Sequence, residues 1–314
     1  MNIINDPGCV VVNANTGMPD CPFLPDKIVG IMLFDKDTVF TANDTLTAAA
    51  FLAKLQSLVY VTGQNRIYPI PGLIFNADNS TAPTVVTDAY DGKKISKDGK
   101  YDWTFDMPFG GAHYHKKLRN YNKQKKNVLL WDEEGNVYGT VTSTGLFATL
   151  STDFVYAHPW KIHTGADAAK FQIQVALSKT KQLNEDLAVI KTGVSVEDNV
   201  KGLIDVVLEQ LAATTSKLTI KMYTKDDKID LYDTYSSILN VASAWVVLSA
   251  AGATITPTSV SLNAGTKAFE LNSSAAFANL NTVKLASVSV LAGLGMGSIS
   301  IGNGFESNTL TITI

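Results

Sequence analysis

Short apolar and β-branched runs, separated by polar turn residues, dominate the middle of the chain and predict β-strands. Between residues 67 and 160, runs rich in valine, threonine and aromatic residues are separated by glycine, proline, aspartate and asparagine. The later segment "KFQIQVALS" alternates most regularly, with apolar side chains at Phe171, Ile173, Val175 and Leu177. This pattern predicts a mainly β fold with a sandwich or barrel-like core and one or two helices.

One segment has helical periodicity instead. In "TANDTLTAAAFLAKLQSLVYVTG" the apolar residues that recur at helical spacing are Leu46, Ala49, Ala50, Ala53 and Leu58. Thr41, Asn43 or Asp44 can cap this helix and Gly63 can end it. We therefore predict an amphipathic helix at 45–60, and "QLNEDLAVI" can form a second, short one.

Composition divides the chain into three regions. Residues 1–26 are interrupted by Asn, Asp, Pro and Gly, which predicts an extended N-terminal arm. Residues 27–193 form the β-rich domain. In residues 194–314 Ser, Thr, Ala and Val dominate, and short strands recur at roughly 10–15 residues, which predicts a second antiparallel sandwich. One of these predicted strands is "TVKLASVSVLAG".

Charge and cysteine content restrict the class of protein. The chain has 26 basic and 29 acidic residues, a formal net charge of −3, which gives no general attraction to nucleic acid or anionic membrane. No run reaches the roughly 20 apolar residues of a membrane helix, and the N-terminus lacks a secretory signal pattern. We expect synthesis in the cytoplasm and no membrane partner. Cys9 and Cys21 can pair or remain two free thiols, and they are too few for a four-thiolate zinc site.

The acidic run Asp132–Glu134 raises the question of a cation loop. A calcium loop of the EF-hand type needs alternating oxygen ligands and a glutamate at its twelfth position, where this sequence has Ser143. A hairpin fits better, because apolar residues alternate on both sides and Gly135 supplies a positive-φ position beside Asn136. We predict a β-hairpin here.

All four histidines lie between residues 113 and 163, at His113, His115, His158 and His163. If His113 and His115 were on a strand, they would face the same side and could bind a metal with one of the others. Packed or interface histidines are the alternative that we favour, and whether the four converge is open at this point.

The segment "HYHKKLRNYNKQKK" (113–126) is the one basic patch, with six Lys or Arg and interleaved Tyr114 and Tyr121. Two roles are open for it. It can contact phosphates, giving a non-specific DNA contact through residues 115–126. It can also be a solvated loop that pairs with an acidic face of a neighbouring subunit, which we favour.

The chain contains no G-x-S-x-G, H-E-x-x-H or phosphate-loop pattern. We therefore predict no catalytic, cofactor-binding or metal-binding residues, and no enzyme. An extended arm, many strands rich in Ser and Thr, and an accessory sandwich suit a protein that repeats itself in an assembly, where neighbouring copies cover the sheet edges.

The segments "KYDWTFDMPFGGAHYHKKLRNYNKQKKNVLLWDEEGNVYGT" and "VYAHPWKIHTGADAAKFQIQVAL" resemble virion structural proteins of tailed phages that infect Bacteroidetes. The resemblance spans roughly residues 27 to 314 and implies a C-terminal immunoglobulin-like domain. The layout is also similar to a major tail or tail-tube subunit, a β-sandwich with one helix and a long hairpin that assembles in stacked rings. It implies that Gly135–Asn136 is the hairpin tip and that the arm is an inter-ring contact. The basic patch departs from such tubes, whose lumens tend to be acidic, so we expect it at a subunit contact.

We therefore expect a virion structural protein, made in the host cytoplasm, whose partners are copies of itself and other virion proteins. A capsid-associated or decoration protein is one alternative to the tail role. A surface module that binds a glycan or receptor through the C-terminal sandwich is another, although Trp245 lies in an apolar run that predicts a core position. Ring symmetry and the contacts of the C-terminal domain are not indicated by the sequence.

Overall fold

A computed structural model describes residues 26–87, 91–108, 110–163, 165, 169–295 and 304–314. Strands account for 42% and helices for 18% of the residues, so the chain is mainly β, as predicted. It divides into two compact units, with unit 1 extending to Val200 and unit 2 comprising Lys201–Ile314. The sequence placed this boundary between residues 193 and 194. Both cysteines and all of the predicted arm except Asp26 lie outside the described residues.

Unit 1 contains twelve described strands and four described helices. The strands are β1 (Ile28–Phe34), β2 (Ile67–Ile70), β3 (Ile74–Asp78), β4 (Thr84–Thr87), β5 (Lys93–Lys97), β6 (Asp102–Met107), β7 (Asn127–Asp132), β8 (Asn136–Val141), β9 (Phe147–Ala148), β10 (Leu150–Ala157), β11 (Phe171–Leu177) and β12 (Leu187–Lys191). The helices are α1 (Ala48–Tyr60), α2 (Gly111–Arg119), α3 (Lys181–Asn184) and α4 (Val196–Asn199), and a 3₁₀ turn covers Gly63–Asn65.

Ten of these strands form one sheet, with β4 and β5 as a separate two-stranded ribbon. The main path runs β12-β8-β7-β10-β11-β6-β3, and β1 joins β7 and β2 beside it. The strands β7 and β11 lie inside the path, and all six residues of β7 are buried rather than every second one. Burial on both faces explains why this strand reads as a nearly continuous apolar run in the sequence.

Helix α1 forms where its periodicity predicts but begins later and buries a different face. Its N-cap is Thr47, whose hydroxyl accepts a hydrogen bond from the Ala50 amide at 3.1 Å. Thr41 and Asp44 bond to each other in the preceding turn instead of capping. The predicted apolar face is wrong, because Leu46 is 70% exposed and larger side chains of the helix are buried instead. The buried residues of the helix are Phe51, Leu52, Leu55 and Val59.

An aromatic cluster fixes α1 against the sheet. Phe40 and Phe51 have ring centroids 5.3 Å apart, and Phe51 meets Phe147 at 5.5 Å in an edge-to-face arrangement. All three rings have no exposed surface. Burial of three phenylalanines contributes roughly 2 kcal/mol each, more than the modest propensity of a short helix provides.

Unit 2 has nine described strands. They are β13 (Ile204–Ala213), β14 (Lys217–Thr224), β15 (Trp245–Leu248), β16 (Thr254–Ile255), β17 (Ser259–Asn263), β18 (Ala268–Asn272), β19 (Thr282–Leu285), β20 (Phe305–Ser307) and β21 (Leu310–Thr311). Its helices are α5 (Tyr232–Leu239) and α6 (Val288–Gly293), and a 3₁₀ turn covers Ala242–Ala244.

These strands form two sheets that share one core, as in a sandwich. One sheet has the order β17-β18-β14-β13-β20 and the other β16-β15-β19-β21. Ile220 from the first sheet and Val247 from the second belong to the same buried cluster, together with Tyr235 of α5. The prediction of a strand through "LASVSVLAG" is wrong beyond Leu285, because Val288 and Leu291 of α6 are buried on one helical face.

Candidate functional site

The acidic run forms a hairpin, as predicted, and its first carboxylate is internal. Asp132 is 2% exposed, and its Oδ1 accepts hydrogen bonds from the amides of Glu134 (3.1 Å) and Asn136 (2.8 Å). Its Oδ2 accepts from the Asn136 side chain and from the Tyr138 hydroxyl. Four donors from the protein therefore use the oxygens that a cation would need.

The glycine of this turn is covered by another part of the chain. Gly135 has φ of 83°, as the sequence predicted, and a Cβ there would lie 2.1 Å from the Val194 carbonyl oxygen. Asn136 is already the first residue of β8, so the loop is Glu133–Gly135 and not a tip at Gly135–Asn136. Glu133 and Glu134 of this loop are exposed, whereas Gly135 and Asn136 are buried.

The histidines are on a helix and in a loop, which corrects the strand hypothesis. His113 and His115 belong to α2, where two positions correspond to a turn of about 200°, so they point to opposite sides. His113 is exposed, while His115 is 5% exposed and its Nε2 donates to the His158 carbonyl oxygen at 2.6 Å. That nitrogen carries a proton and is not a metal ligand in this arrangement.

The two remaining histidines make local contacts. His158 Nε2 lies 3.1 Å from the Gln174 amide oxygen, and His163 Nδ1 accepts from the Gly165 amide at 3.0 Å. Within the described parts of the chain, no group of three or more His, Cys, Asp or Glu residues is arranged to hold a metal. Nor is any described helix long and apolar enough to cross a membrane.

The basic segment 113–126 is divided by the fold. Its first half is helix α2 rather than a loop, with Lys116 and Arg119 exposed on it. Its last residue, Lys126, is internal, with a side chain 3% exposed that pairs with Asp35. The ring of Tyr121 lies 4.5 Å below the Lys126 ammonium group. Only part of the predicted patch is therefore available to a phosphate or a partner.

Unit 1 has an exposed strand pair with apolar side chains that the sequence did not single out. The ribbon β4–β5 has all nine residues exposed, and Val85 pairs directly with Ile95 across its two strands. These side chains are 53% and 63% exposed, and Val86 on the other face is 50% exposed. The signal was the run "PTVVTDAY", rich in Val and Thr, which predicts a strand but not the exposure of that strand.

A groove at the edge of the main sheet is a second surface of unit 1 with apolar side chains. Strand β3 ends the sheet path and, among the described strands, pairs only with β6. Beside it lies a groove of about 340 Å³. Its apolar lining comes from Val29, Leu73, Ile74, Trp131 and Val196, and its acidic lining from Asp132, Glu133 and Glu197.

In unit 2, Trp245 is a core residue, as predicted. It is 4% exposed and its indole Nε1 donates to the Leu239 carbonyl oxygen at 2.9 Å. It is therefore not an exposed platform for a saccharide.

Comparisons with protein-family models, with curated proteins and with solved structures give no match for this chain.

Proposed function

We propose that this chain is a non-enzymatic virion structural protein that assembles with copies of itself into rings or a tube, in the manner of a phage tail or tail-tube subunit. The observation that carries the proposal is the ribbon β4–β5. A two-stranded ribbon alone is marginally stable in water, and exposed strand edges and apolar pairs promote pairing with another chain. Val85 and Ile95 are the apolar pair on this ribbon.

The groove beside β3 is the surface on the neighbouring copy that best complements the ribbon. The ribbon carries Lys93, Lys94 and Lys97, whereas the groove has exposed Glu133 and Glu197 around an apolar floor. Opposite charges around an apolar centre orient two surfaces and exclude wrong partners. Because ribbon and groove are different patches, the contact is head-to-tail, which closes into rings or extends into a filament.

The same proposal includes roles for the N-terminal arm and unit 2, and a location for the protein. The predicted arm, residues 1–26, would join successive rings. Unit 2 would be an immunoglobulin-like accessory domain, which its two sheets with a common core support. The protein would be made in the host cytoplasm and act in the virion, with other virion proteins as further partners.

The test is negative-stain electron microscopy with light scattering over a concentration series. We expect rings or tubes of uniform width from the intact chain, and rings without tubes after deletion of residues 1–26. Val85→Lys combined with Ile95→Lys should leave monomers of unchanged circular dichroism, because both side chains are on the surface. Leu46→Lys, at a residue 70% exposed on another part of unit 1, is the matched control and should assemble normally.

Three results would contradict the proposal. A strictly monomeric intact chain at high concentration would rule out self-assembly as its own property. Assembly by the Val85 and Ile95 double variant would exclude the ribbon as the contact. Binding of purified chain to preformed capsids, without rings or tubes, would favour a decoration protein instead.

A further inference from the structure

An open cleft of about 450 Å³ lies beside α2 in unit 1, and its lining combines aromatic and cationic side chains. The residues that line it are Ala112, His115, Lys116, Arg119, Asn120, Trp160 and Phe171. None of them is acidic. The volume is in the range of small-molecule sites, roughly 300–1,000 Å³.

The cationic wall is one face of helix α2. Ala112, His115, Lys116 and Arg119 are spaced i, i+3, i+4 and i+7, so they share a face. Lys116 and Arg119 are exposed, and among the described residues neither side chain makes an ion pair or hydrogen bond. Two exposed cations one turn apart can contact the oxygens of one phosphate group.

The aromatic wall is a stack of three rings. Phe171 lies between His115, with centroids 4.6 Å apart, and Trp160, with centroids 5.6 Å apart, and the rings are within 32° of parallel. Trp160 ends the stack and is 53% exposed, whereas Trp131 and Trp245 are at most 4% exposed. An exposed indole at the end of a stack offers a flat surface for another planar ring.

Hydrogen bonds hold the two walls together before any ligand arrives. His115 Nε2 donates to the His158 carbonyl oxygen, two residues from Trp160. Asn122, just beyond α2, donates to the Ala157 carbonyl oxygen at 2.8 Å and accepts from the Ala157 amide at 2.7 Å. The separation between helix α2 and the backbone near Trp160 is therefore set by the fold, which reduces the ordering cost of binding.

We propose that this cleft binds a nucleoside phosphate, with the base stacked on Trp160 and the phosphate between Lys116 and Arg119. A neutral saccharide could use the indole face but would leave both cations without a partner. An acidic peptide without an aromatic residue could satisfy the cations but would have no planar ring for the stack. The nucleotide is either free or part of a single strand, since a duplex keeps its bases stacked inside.

The test uses intrinsic tryptophan fluorescence, because stacking should quench Trp160. The probes are thymidine 5′-monophosphate, an oligothymidylate of about ten nucleotides, and a duplex of the same length, titrated at about 50 mM and about 200 mM salt. We expect quenching by the single strand or the mononucleotide, and weaker binding of the duplex. Binding of both the mononucleotide and the single strand would identify a site for a nucleotide. Binding of the single strand without the mononucleotide would identify a site for a nucleic-acid strand.

Two sets of variants locate the contact. Trp160→Ala should weaken binding about tenfold and Trp160→Phe much less, as expected for stacking. Lys116→Gln with Arg119→Gln should also weaken it about tenfold and, because both cations contact one phosphate, reduce the salt slope for the oligonucleotide by about 0.7. Lys123→Gln with Lys125→Gln, which neutralises two exposed cations of the same segment outside the cleft, is the control and should bind nearly as the intact chain does.

The proposal is overturned if no probe binds at about 50 mM salt, or if the duplex binds as tightly as the single strand. It is also overturned if the control pair loses as much affinity as Lys116→Gln with Arg119→Gln, because the contact would then be diffuse electrostatics. Binding is measured by calorimetry for the Trp160 variants, whose fold is checked by circular dichroism. If no nucleotide binds, the proposal of ring or tube formation still stands, because the ribbon and the groove share no residue with the cleft.

Discussion

Lys126 and Asp35 form a nearly buried ion pair inside unit 1, with side chains 3% and 19% exposed. The rings of Tyr68 and Tyr121 lie 5.5 Å and 4.5 Å from the lysine ammonium group. A cation in this position is satisfied by one carboxylate and two aromatic faces. The last lysine of the basic segment therefore stabilises the fold and is not available to an outside partner.

Replacing this lysine should cost stability and nothing else. Lys126→Met should lower the free energy of unfolding by about 3 kcal/mol, because Asp35 would keep a poorly solvated charge without its partner. Lys125→Met, one residue away and exposed, should change it by less than about 0.5 kcal/mol. Urea unfolding measures both. Equal effects of the two variants would show that the pair adds no stability.

The indole of Trp131 lies over the α-carbon of Gly30, its partner across strands β7 and β1. A Cβ on Gly30 would be 1.9 Å from the ring carbon Cζ2, so the buried ring would have to move. We expect Gly30→Ala to cost about 3 kcal/mol through overpacking. Gly265→Ala, where the nearest atom would be 3.5 Å away, is the matched control and should be nearly neutral. Thermal unfolding of both variants is the measurement, and a neutral Gly30→Ala would mean that the strands separate easily.

The buried carboxylate of Asp132 should matter far more than its exposed neighbour. Asp132→Ala removes the acceptor for four donors and should cost about 3 kcal/mol. Glu133→Ala removes only an ion pair with Lys27 in which both side chains are about half exposed, and should cost under about 1 kcal/mol. Calcium should not raise the melting temperature of the intact chain, and a calcium-dependent rise would revive the cation loop.

Asp106 should contribute to stability at neutral pH and lose that contribution in acid. Burial raises the pKa of this carboxyl, but hydrogen bonds from Gln172, Lys170 and Asn76 outweigh it, so the net pKa is below the ordinary value. A lowered folded-state pKa means that the stabilisation is present above the unfolded value and disappears as the pH falls through the folded one.

The matching variant is Asp106→Asn. It should cost about 1 kcal/mol at about pH 7, and the difference from the intact chain should shrink towards about pH 3. Urea unfolding at both pH values measures it. A difference that grows in acid would reverse the sign of the pKa shift and contradict the assignment.

Local patterns predicted the elements whose sequence signals are strong. The hairpin around Gly135 and the alternating strand β11 occur where the sequence places them. Helix α2 was not predicted, because its nine residues are mostly polar and only His115 and Leu118 are buried. The sequence predicted a strand where α6 forms, because the β-branched residues of "VSVL" favour extended structure. In the fold, Val288 and Leu291 are buried from one side of a helix.

Sequence patterns alone predict that this protein is mainly β, that a glycine turn follows the strand ending at Asp132, and that a helix lies near residues 45–60. These features depend on neighbours within about four positions, whose side chains share a face of a strand or a helix. Only the folded chain shows which face of α1 is buried, that Lys126 is internal, and that Trp160 lines the same cleft as the cations of α2. Each of these contacts joins residues about 40 to 90 positions apart in the sequence. Strand pairing brings such residues together, and the periodicity of the sequence does not encode which strands pair.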